Sequence, residues 1–192
     1  DTALERPAPE RNYFNSVRSL VDRELFERME RAKELICSDK IDVVSFDIFD
    51  TLILRPLWTP TDLFYLMNDE FNRLFEMNSY VPFSEIRVSA ERECRRRIAR
   101  EHADYEDVTL DEIYEQIALD YALDASALAR LKELEQELEL RFCTARRTGK
   151  QLFDLAVSQG KRVILCSDMY LPRQTVDTIL QKNGYTYDEI YL

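Results

Sequence analysis

Apolar residues follow two different patterns along the chain, and each pattern predicts a different kind of element. Val43, Val44 and Phe46 form a short run rich in β-branched and aromatic residues, which predicts a strand buried on both faces of a parallel sheet. The run RVILC at 162–166 predicts a second buried strand, and residues 189–192 begin a third. The chain therefore holds the strands of an α/β fold.

Elsewhere the apolar residues recur at the three- and four-residue spacing of amphipathic helices. The first predicted helix covers residues 12–37, and we expect it to pack on the core, with docking to a partner as the open alternative. Thr109 and Glu112 match a capping box, which marks one further helix start. The other helices are predicted to begin at Thr59, Ser84, Ala125, Thr148 and Pro172.

Helical patterns fill the whole stretch between the first two strands, which predicts an all-helical lobe inserted into an α/β core. Only three glycines interrupt 192 residues, which favours long helices and short loops. The predicted division is an arm and amphipathic helix over 1–37, a core over 38–56 and 148–192, and the lobe over 57–147.

The predicted helix that begins at Ser84 has one strongly basic face. Acidic residues alternate with these arginines, which is typical of a solvated face with ion pairs one turn apart. Contact of some of the arginines with an anionic ligand is the open alternative. The basic residues concerned are Arg92, Arg95, Arg96, Arg97 and Arg100.

The formal net charge of -11 argues against binding to nucleic acid or to an anionic membrane surface. An anionic substrate therefore needs a metal ion or an arginine cluster. Four cysteines without close pairing predict reduced thiols and a cytoplasmic protein, and the sequence has no signal peptide or membrane-spanning run. His102, the only histidine, lies in a charged stretch and is predicted to be a surface residue.

Small polar and acidic residues follow each of the first two predicted strands. Asp47 and Asp50 come at the end of the first strand, and Ser167 and Asp168 come at the end of the second. Open α/β sheets bind their ligands at the carboxyl ends of the strands, so these side chains are candidates for a site. An ordinary acidic turn is the alternative, because Asp and Thr are common turn residues.

The segments VVSFDIFDT and RVILCS, separated by a helical insertion, resemble the first two motifs of the haloacid dehalogenase superfamily. The resemblance covers residues 41–192 and implies a Rossmann-like parallel core, here partial, with a helical cap over the active site. It implies that Asp47 is a nucleophile that accepts a phosphoryl group from a small phosphorylated substrate. It also implies Mg²⁺ bound by Asp47 and by the main-chain carbonyl of Phe49, with Ser167 holding the phosphoryl oxygens.

Thr51 stands at the family's threonine position, and the resemblance implies support of the loop or contact with phosphate. The sequence departs from the family at Phe49, where the phosphatases carry a second Asp that protonates the leaving oxygen. Asp50, one residue later, replaces this acid only if the backbone there is irregular, because adjacent residues of a strand point to opposite faces. The lost proton transfer would otherwise reduce the rate by about 10² to 10⁴.

The family's third and fourth motifs, a Lys and an acidic group, would follow the third strand and do not occur before Leu192. We therefore expect a longer protein with an additional C-terminal part. Three functions stay open: a Mg²⁺-dependent phosphatase, a non-catalytic module of a larger protein, and a haloacid dehalogenase. For the module, FDIFDTL followed by LFYLM resembles a branch of the superfamily that is associated with polysaccharide biosynthesis. The dehalogenase ranks below the phosphatase, because Asp50 and the sequence SDMYLP differ from the pattern of those enzymes.

Overall fold

The computed structural model describes residues 10–75, 81–101, 107–121 and 123–192. It is a mixed α/β structure in which helices predominate and a small parallel sheet has three strands. His102 lies outside the described residues. In chain order the elements are α1 Glu10–Ile36, β1 Val43–Asp47, β2 Ile53–Leu54, α2 Asp62–Tyr65, α3 Asn68–Phe75, α4 Phe83–Glu101, α5 Leu110–Tyr121, α6 Ala125–Phe142, β3 Thr144–Ala145, α7 Arg147–Ser158, β4 Arg162–Cys166, α8 Arg173–Lys182 and β5 Glu189–Tyr191.

The three predicted strands form the parallel sheet, in the order β1-β4-β5. The prediction that β1 is buried on both faces is wrong. Val43 is 44% exposed, and Ser45 and Asp47 are also exposed, while Phe46 is buried. The exposed residues alternate along the strand, so the face that carries Phe46 packs on Phe153 of α7, while the opposite face is left open among the described residues.

A second, antiparallel pair of strands joins the two ends of the helical stretch. Ile53 pairs with Ala145, and Leu54 pairs with Thr144. The helix predicted over 125–147 therefore ends at Phe142. Extended backbone after this helix lets Arg146 N–H donate to the Leu52 carbonyl at 2.7 Å. Periodicity alone did not reveal this short ribbon, because two-residue strands are too short to show an alternating pattern.

The predicted helix starts are confirmed in α5 and corrected in α2. Thr109 N–H donates to the Glu112 carboxylate at 2.8 Å, and Glu112 N–H donates to the Thr109 hydroxyl at 3.3 Å, which completes the capping box. Thr59 does not cap α2 as predicted. Its N–H and hydroxyl instead donate to the carboxylate of Asp62, the first residue of α2, at 2.7 and 2.9 Å.

Among the residues of α1 whose side chains are described, Ile36 near the C-terminal end is the one that is buried in the core. Ile36 is 5% exposed, whereas Phe26 is 65% exposed and Leu35 is 54% exposed. The helix packs against α7. The expectation that its apolar face packs on the core is therefore confirmed only at its C-terminal end, among the residues whose side chains are described.

The sheet packs on α7 through an aromatic cluster. The rings of Phe46 and Phe153 are 5.8 Å apart, and Phe153 meets Tyr185 edge-on at 4.8 Å. Gly149, in the first turn of α7, allows a close approach to the turn after β1, because a Cβ atom there would lie 2.1 Å from the Thr51 carbonyl oxygen. This contact fixes the turn that follows Asp47.

The apolar residues of the lobe form a core continuous with that of the sheet. Leu63, Phe64, Met67 and Phe71 are buried, as their helical spacing predicts. The same is true of the predicted apolar face of α4, which comprises Ile86, Ala90, Cys94 and Ile98. Within the described segments, no helix has the length and hydropathy needed to cross a bilayer.

Candidate active site

The register of the sheet brings the ends of β1 and β4 together. Asp47 is the parallel partner of Cys166, so Ser167 follows directly beside it. Ser167 N–H donates to the Tyr191 carbonyl at 3.0 Å, and its hydroxyl accepts a hydrogen bond from Met169 N–H at 3.2 Å. The main chain that carries Ser167 is therefore fixed both to β5 and within its own loop.

Two cavities open at this edge of the sheet. The sheet cavity, about 880 Å³, is lined by Asp47, Ser167 and Asp168 among others. The lobe cavity, about 610 Å³, is lined by Asp47, Asp50 and Asp168 and lies under α2 and α4. Asp47 and Asp168 border both cavities. Both volumes lie within the range of pockets for small molecules, about 300–1,000 Å³.

Asp50 has a left-handed backbone, with φ of 59°. Asp tolerates this conformation better than most residues. Asp50 N–H donates to the Ile53 carbonyl at 2.7 Å, and the Arg146 guanidinium donates to the Asp50 carbonyl. The backbone here is thus irregular, as the proton-donating role of Asp50 requires. Asp50 lines the lobe cavity together with Asp47.

Thr51 and Phe49 occupy different surroundings. Thr51 is half-buried, and neither the sheet cavity nor the lobe cavity includes it in its lining, while its carbonyl lies against Gly149. These contacts favour support of the loop over contact with phosphate. Phe49 lines the lobe cavity, and the Arg55 guanidinium lies over its ring at 4.9 Å from the ring centre.

The donor chemistry at the cavities suits a magnesium ion with several water ligands. Mg²⁺ in enzymes is commonly bound through one or two carboxylates and completes its shell with water and substrate phosphate. Asp47 and Asp168 supply two carboxylates around one space. In the part of the chain that the structure describes, no group of three or more His, Cys, Asp or Glu side chains is arranged to hold a metal.

Two buried ion pairs that were not predicted from the sequence lie beside the site. Arg55 Nε donates to Glu139 Oε2 at 2.7 Å, with side-chain exposures of 7% and 2%. Burial alone would lower the pKa of Arg55, but the hydrogen bond and charge of Glu139 raise it overall. The Cys143 thiol donates to the same carboxylate at 3.2 Å, and burial followed by the Glu139 charge raises the pKa of that thiol. The charge of Arg55 is therefore retained at the wall of the lobe cavity.

The second pair joins Arg87 of α4 to Glu135 of α6, and both side chains are fully buried. Arg87 Nε and one terminal nitrogen donate to the two Glu135 oxygens at 2.9 and 2.8 Å. The Tyr114 hydroxyl also donates to Glu135, at 2.9 Å. Burial alone would lower the pKa of Arg87, but the charge and the hydrogen bond of Glu135 raise it overall.

A signal for the pair of Arg87 with Glu135 was present in the helical periodicity. Arg87 lies four residues after Phe83 and seven before Cys94, on the stripe that α4 buries. Glu135 lies seven residues after Leu128 and four after Leu131, at a position that the heptad pattern assigns to the core. Opposite charges at core positions of two helices predict a buried pair, because an unpaired buried charge is too costly.

The predicted basic face of α4 is a solvated face for the most part. Arg95 pairs with Glu91 at 3.1 Å, and Arg96 pairs with Glu93 at 3.5 Å. Among these arginines only Arg95 also lines the lobe cavity. The four cysteines are free thiols, as predicted.

Comparison with known proteins gives no further assignment: no protein-family model matches the sequence, and no curated protein matches it.

Proposed function

We propose that this chain forms the site of a Mg²⁺-dependent phosphate monoester hydrolase of the haloacid dehalogenase type, built on a Rossmann-like core. The observation that carries the proposal is the parallel pairing of β1 with β4, in which Asp47 is opposite Cys166 and next to Ser167. A carboxylate and a hydroxyl on neighbouring strand ends, both lining one cavity, are the groups that an aspartyl-phosphate mechanism requires.

In the first step a carboxylate oxygen of Asp47 attacks the phosphorus atom, and the bond from phosphorus to the ester oxygen breaks. The leaving oxygen takes a proton from the Asp50 carboxyl group, and the phosphoryl group remains on Asp47. The hydroxyl of Ser167 donates a hydrogen bond to the phosphoryl oxygens. Since Ser167 lines the sheet cavity and Asp50 lines the lobe cavity, the leaving group extends towards the lobe.

In the second step water attacks the phosphorus atom, and the Asp50 carboxylate accepts a proton from that water. Inorganic phosphate leaves, and Asp47 is regenerated. Asp47, the main-chain carbonyl of Phe49 and Asp168 are the groups that would hold Mg²⁺. A bound Mg²⁺ supplies charge neutralisation between the nucleophile and the anionic substrate.

The acidic surroundings make that neutralisation necessary. Asp50, Asp107 and Asp168 join Asp47 in the lining of the lobe cavity, where Arg55 and Arg95 are the described basic residues. Arg55 is paired with Glu139, and Arg95 is paired with Glu91 and Asp107. Their charges are thus largely balanced, and a phosphate group approaches Asp47 favourably only with a cation present.

The test is release of inorganic phosphate from p-nitrophenyl phosphate and from a panel of sugar phosphates, with and without Mg²⁺. It compares this chain, and any longer natural chain that contains it, with the Asp47→Asn variant. The proposal predicts Mg²⁺-dependent release that Asp47→Asn abolishes. Asp168→Asn should raise the Mg²⁺ concentration needed for half-maximal activity.

Release equal to that of Asp47→Asn on every substrate would contradict the proposal and favour a non-catalytic module. Halide release from 2-haloacids without Mg²⁺ would contradict it in favour of a dehalogenase. One preparation distinguishes these outcomes: a phosphatase releases phosphate with Mg²⁺, a dehalogenase releases halide without Mg²⁺, and a non-catalytic module releases neither.

A further inference from the structure

Arg87 is enclosed by two aromatic rings as well as by its carboxylate partner. Its guanidinium carbon lies 4.7 Å from the ring centre of Phe64 and 4.8 Å from that of Tyr170. Phe64 belongs to α2 of the lobe, but Tyr170 belongs to the loop that follows β4. Arg87 therefore joins the interior of the lobe to the sheet side of the site.

The loop in question carries the proposed phosphate-binding hydroxyl. We define the serine loop as residues 167–171, which contains Ser167, Asp168 and Tyr170. Tyr170 lines both the sheet cavity and the lobe cavity. Its carbonyl accepts a hydrogen bond at 2.9 Å from the N–H of Leu110, which is the first residue of α5. At its start this loop is held by the sheet, and at Tyr170 it is held by the lobe.

We propose that Arg87 is a positioning residue for the reaction, because it holds Tyr170 and thereby sets the place of Ser167 and Asp168 relative to Asp47. This inference rests on the proposed function. The lobe is then part of the site's framework rather than only a cover over the cavities. The bidentate bond to Glu135 fixes the plane of the guanidinium, and the fixed plane offers one face to the Tyr170 ring.

Loss of such a contact should change the rate of the reaction more than it changes the affinity for substrate. Small displacements of a group from its reactive geometry reduce the rate strongly, and an error of about 1 Å can cost about 10²-fold. Arg87 has no exposed surface and does not line either cavity, so its loss removes no direct contact with substrate. A change in kcat with little change in KM is the expected signature.

The first comparison is Tyr170→Leu with Tyr170→Phe. The phenylalanine variant keeps the ring face on which Arg87 lies, whereas the leucine variant removes it. We expect Tyr170→Leu to lower kcat by about 10- to 100-fold, and Tyr170→Phe, which keeps the ring, to lower kcat clearly less than Tyr170→Leu does. Amide hydrogen exchange of the serine loop should be faster in Tyr170→Leu only.

The second comparison removes the ion pair as a unit. In Arg87→Met with Glu135→Leu, apolar side chains replace both charges, a change that buried pairs often tolerate without loss of folding. We expect this double variant to unfold cooperatively and to show the same fall in kcat and the same faster exchange as Tyr170→Leu. Tyr114→Phe is the matched control, since it removes another hydrogen bond from Glu135 and leaves Arg87 and Tyr170 unchanged.

Wild-type exchange in the serine loop for both Tyr170→Leu and the double variant would overturn the proposal, and so would faster exchange with wild-type kcat. A fall in kcat for Tyr170→Phe equal to that for Tyr170→Leu would also overturn it, because the ring face would then not be the cause. If the wild-type chain releases no phosphate, the proposed function fails, and the reaction role of Arg87 fails with it. The exchange measurement then still decides whether Arg87 holds the loop.

Discussion

Glu135 and Glu139 lie one turn apart on the buried face of α6, and each binds an arginine from a different part of the chain. Glu135 binds Arg87 of α4, and Glu139 binds Arg55, which follows β2. Helix α6 thus connects the lobe interior with the segment that leads out of the sheet. Both arginines also lie over aromatic rings that line the lobe cavity.

Loss of one member of a buried pair should destabilise the protein more than loss of both. Glu139→Ala leaves the Arg55 charge buried, and the free energy of unfolding should fall by about 3–5 kcal/mol. In the double variant Arg55→Met with Glu139→Leu, the free energy of unfolding should fall by much less. Urea unfolding followed by circular dichroism measures both changes.

Glu137→Gln is the control for this experiment. Glu137 lies on the same helix and pairs with Arg130, but its side chain is 57% exposed. Surface pairs contribute at most about 1 kcal/mol, so this variant should unfold close to the wild type. Equal destabilisation by the exposed and the buried substitution would show that the Arg55–Glu139 pair does not stabilise the fold.

Substitution of Asp50 by glycine should reduce activity without reducing the free energy of unfolding. Glycine adopts positive φ without strain, so Asp50→Gly should leave the free energy of unfolding unchanged or raise it by up to about 1 kcal/mol. Hydrolysis of sugar phosphates should nevertheless fall by about 10² to 10⁴, because their leaving oxygen needs a proton. The better leaving group of p-nitrophenyl phosphate should show a much smaller fall. Equal losses on both substrates would contradict the acid role of Asp50.

The sequence predicted the three strands of the parallel sheet and most helix starts because these depend on local patterns. RVILC is an uninterrupted apolar run, and Thr109 with Glu112 is a local capping box, so each is visible in a few residues. The exposure of Val43 was not predictable in this way, since it depends on which face of the sheet the helices cover.

In the candidate site, too, some features could be predicted from local sequence and others could not. Asp47 and Ser167 could be placed near each other from the rule that ligand sites lie at the carboxyl ends of parallel strands. The left-handed backbone of Asp50 and the contact of Arg87 with Tyr170 could not, because both arise from tertiary packing. Arg87 and Glu135 were nevertheless detectable as charged residues at core positions of their helices.

Gly149 should be intolerant of a side chain. A Cβ atom at this position would lie 2.1 Å from the Thr51 carbonyl oxygen, so Gly149→Ala must displace the turn after Asp47 or the start of α7. We expect the free energy of unfolding to fall by about 1–3 kcal/mol, as for other overpacked sites, and phosphate release to fall with it. Thermal unfolding and the phosphate assay measure the two effects.

Gly160 provides the comparison. It has a φ of 66°, and no atom lies within 4 Å of an added Cβ, so Gly160→Asn meets only the backbone preference, which asparagine tolerates. Gly160→Asn should therefore differ little from the wild type in stability and activity. A stable, fully active Gly149→Ala would show that the approach of α7 to the Thr51 carbonyl does not position the turn.

Tyr185 should make stability fall at alkaline pH. Burial raises the pKa of Tyr185 to about 12, and its hydroxyl donates to the Leu52 carbonyl at 2.7 Å. The folded state therefore binds the phenolic proton more tightly than the unfolded state, whose tyrosine pKa is about 10. Its contribution is complete below about pH 10 and is lost as the pH rises towards 12.

Tyr185→Phe tests this by removing the titrating group. The Leu52 carbonyl keeps its hydrogen bond from Arg146 N–H, so the variant should fold, with a loss of about 1 kcal/mol near neutral pH. Between about pH 10 and pH 12 the difference in unfolding free energy between wild type and variant should shrink. A constant difference across this range would contradict the assignment.

The most direct test of the account is capture of the phosphoryl group on Asp47. The protein is mixed with excess p-nitrophenyl phosphate and Mg²⁺, quenched in acid, digested and analysed by peptide mass spectrometry. The account predicts a phosphoryl group on Asp47 in the wild type, and none in Asp47→Asn or without Mg²⁺. Turnover by Asp47→Asn, or wild-type turnover with the phosphoryl group on another residue, would contradict it.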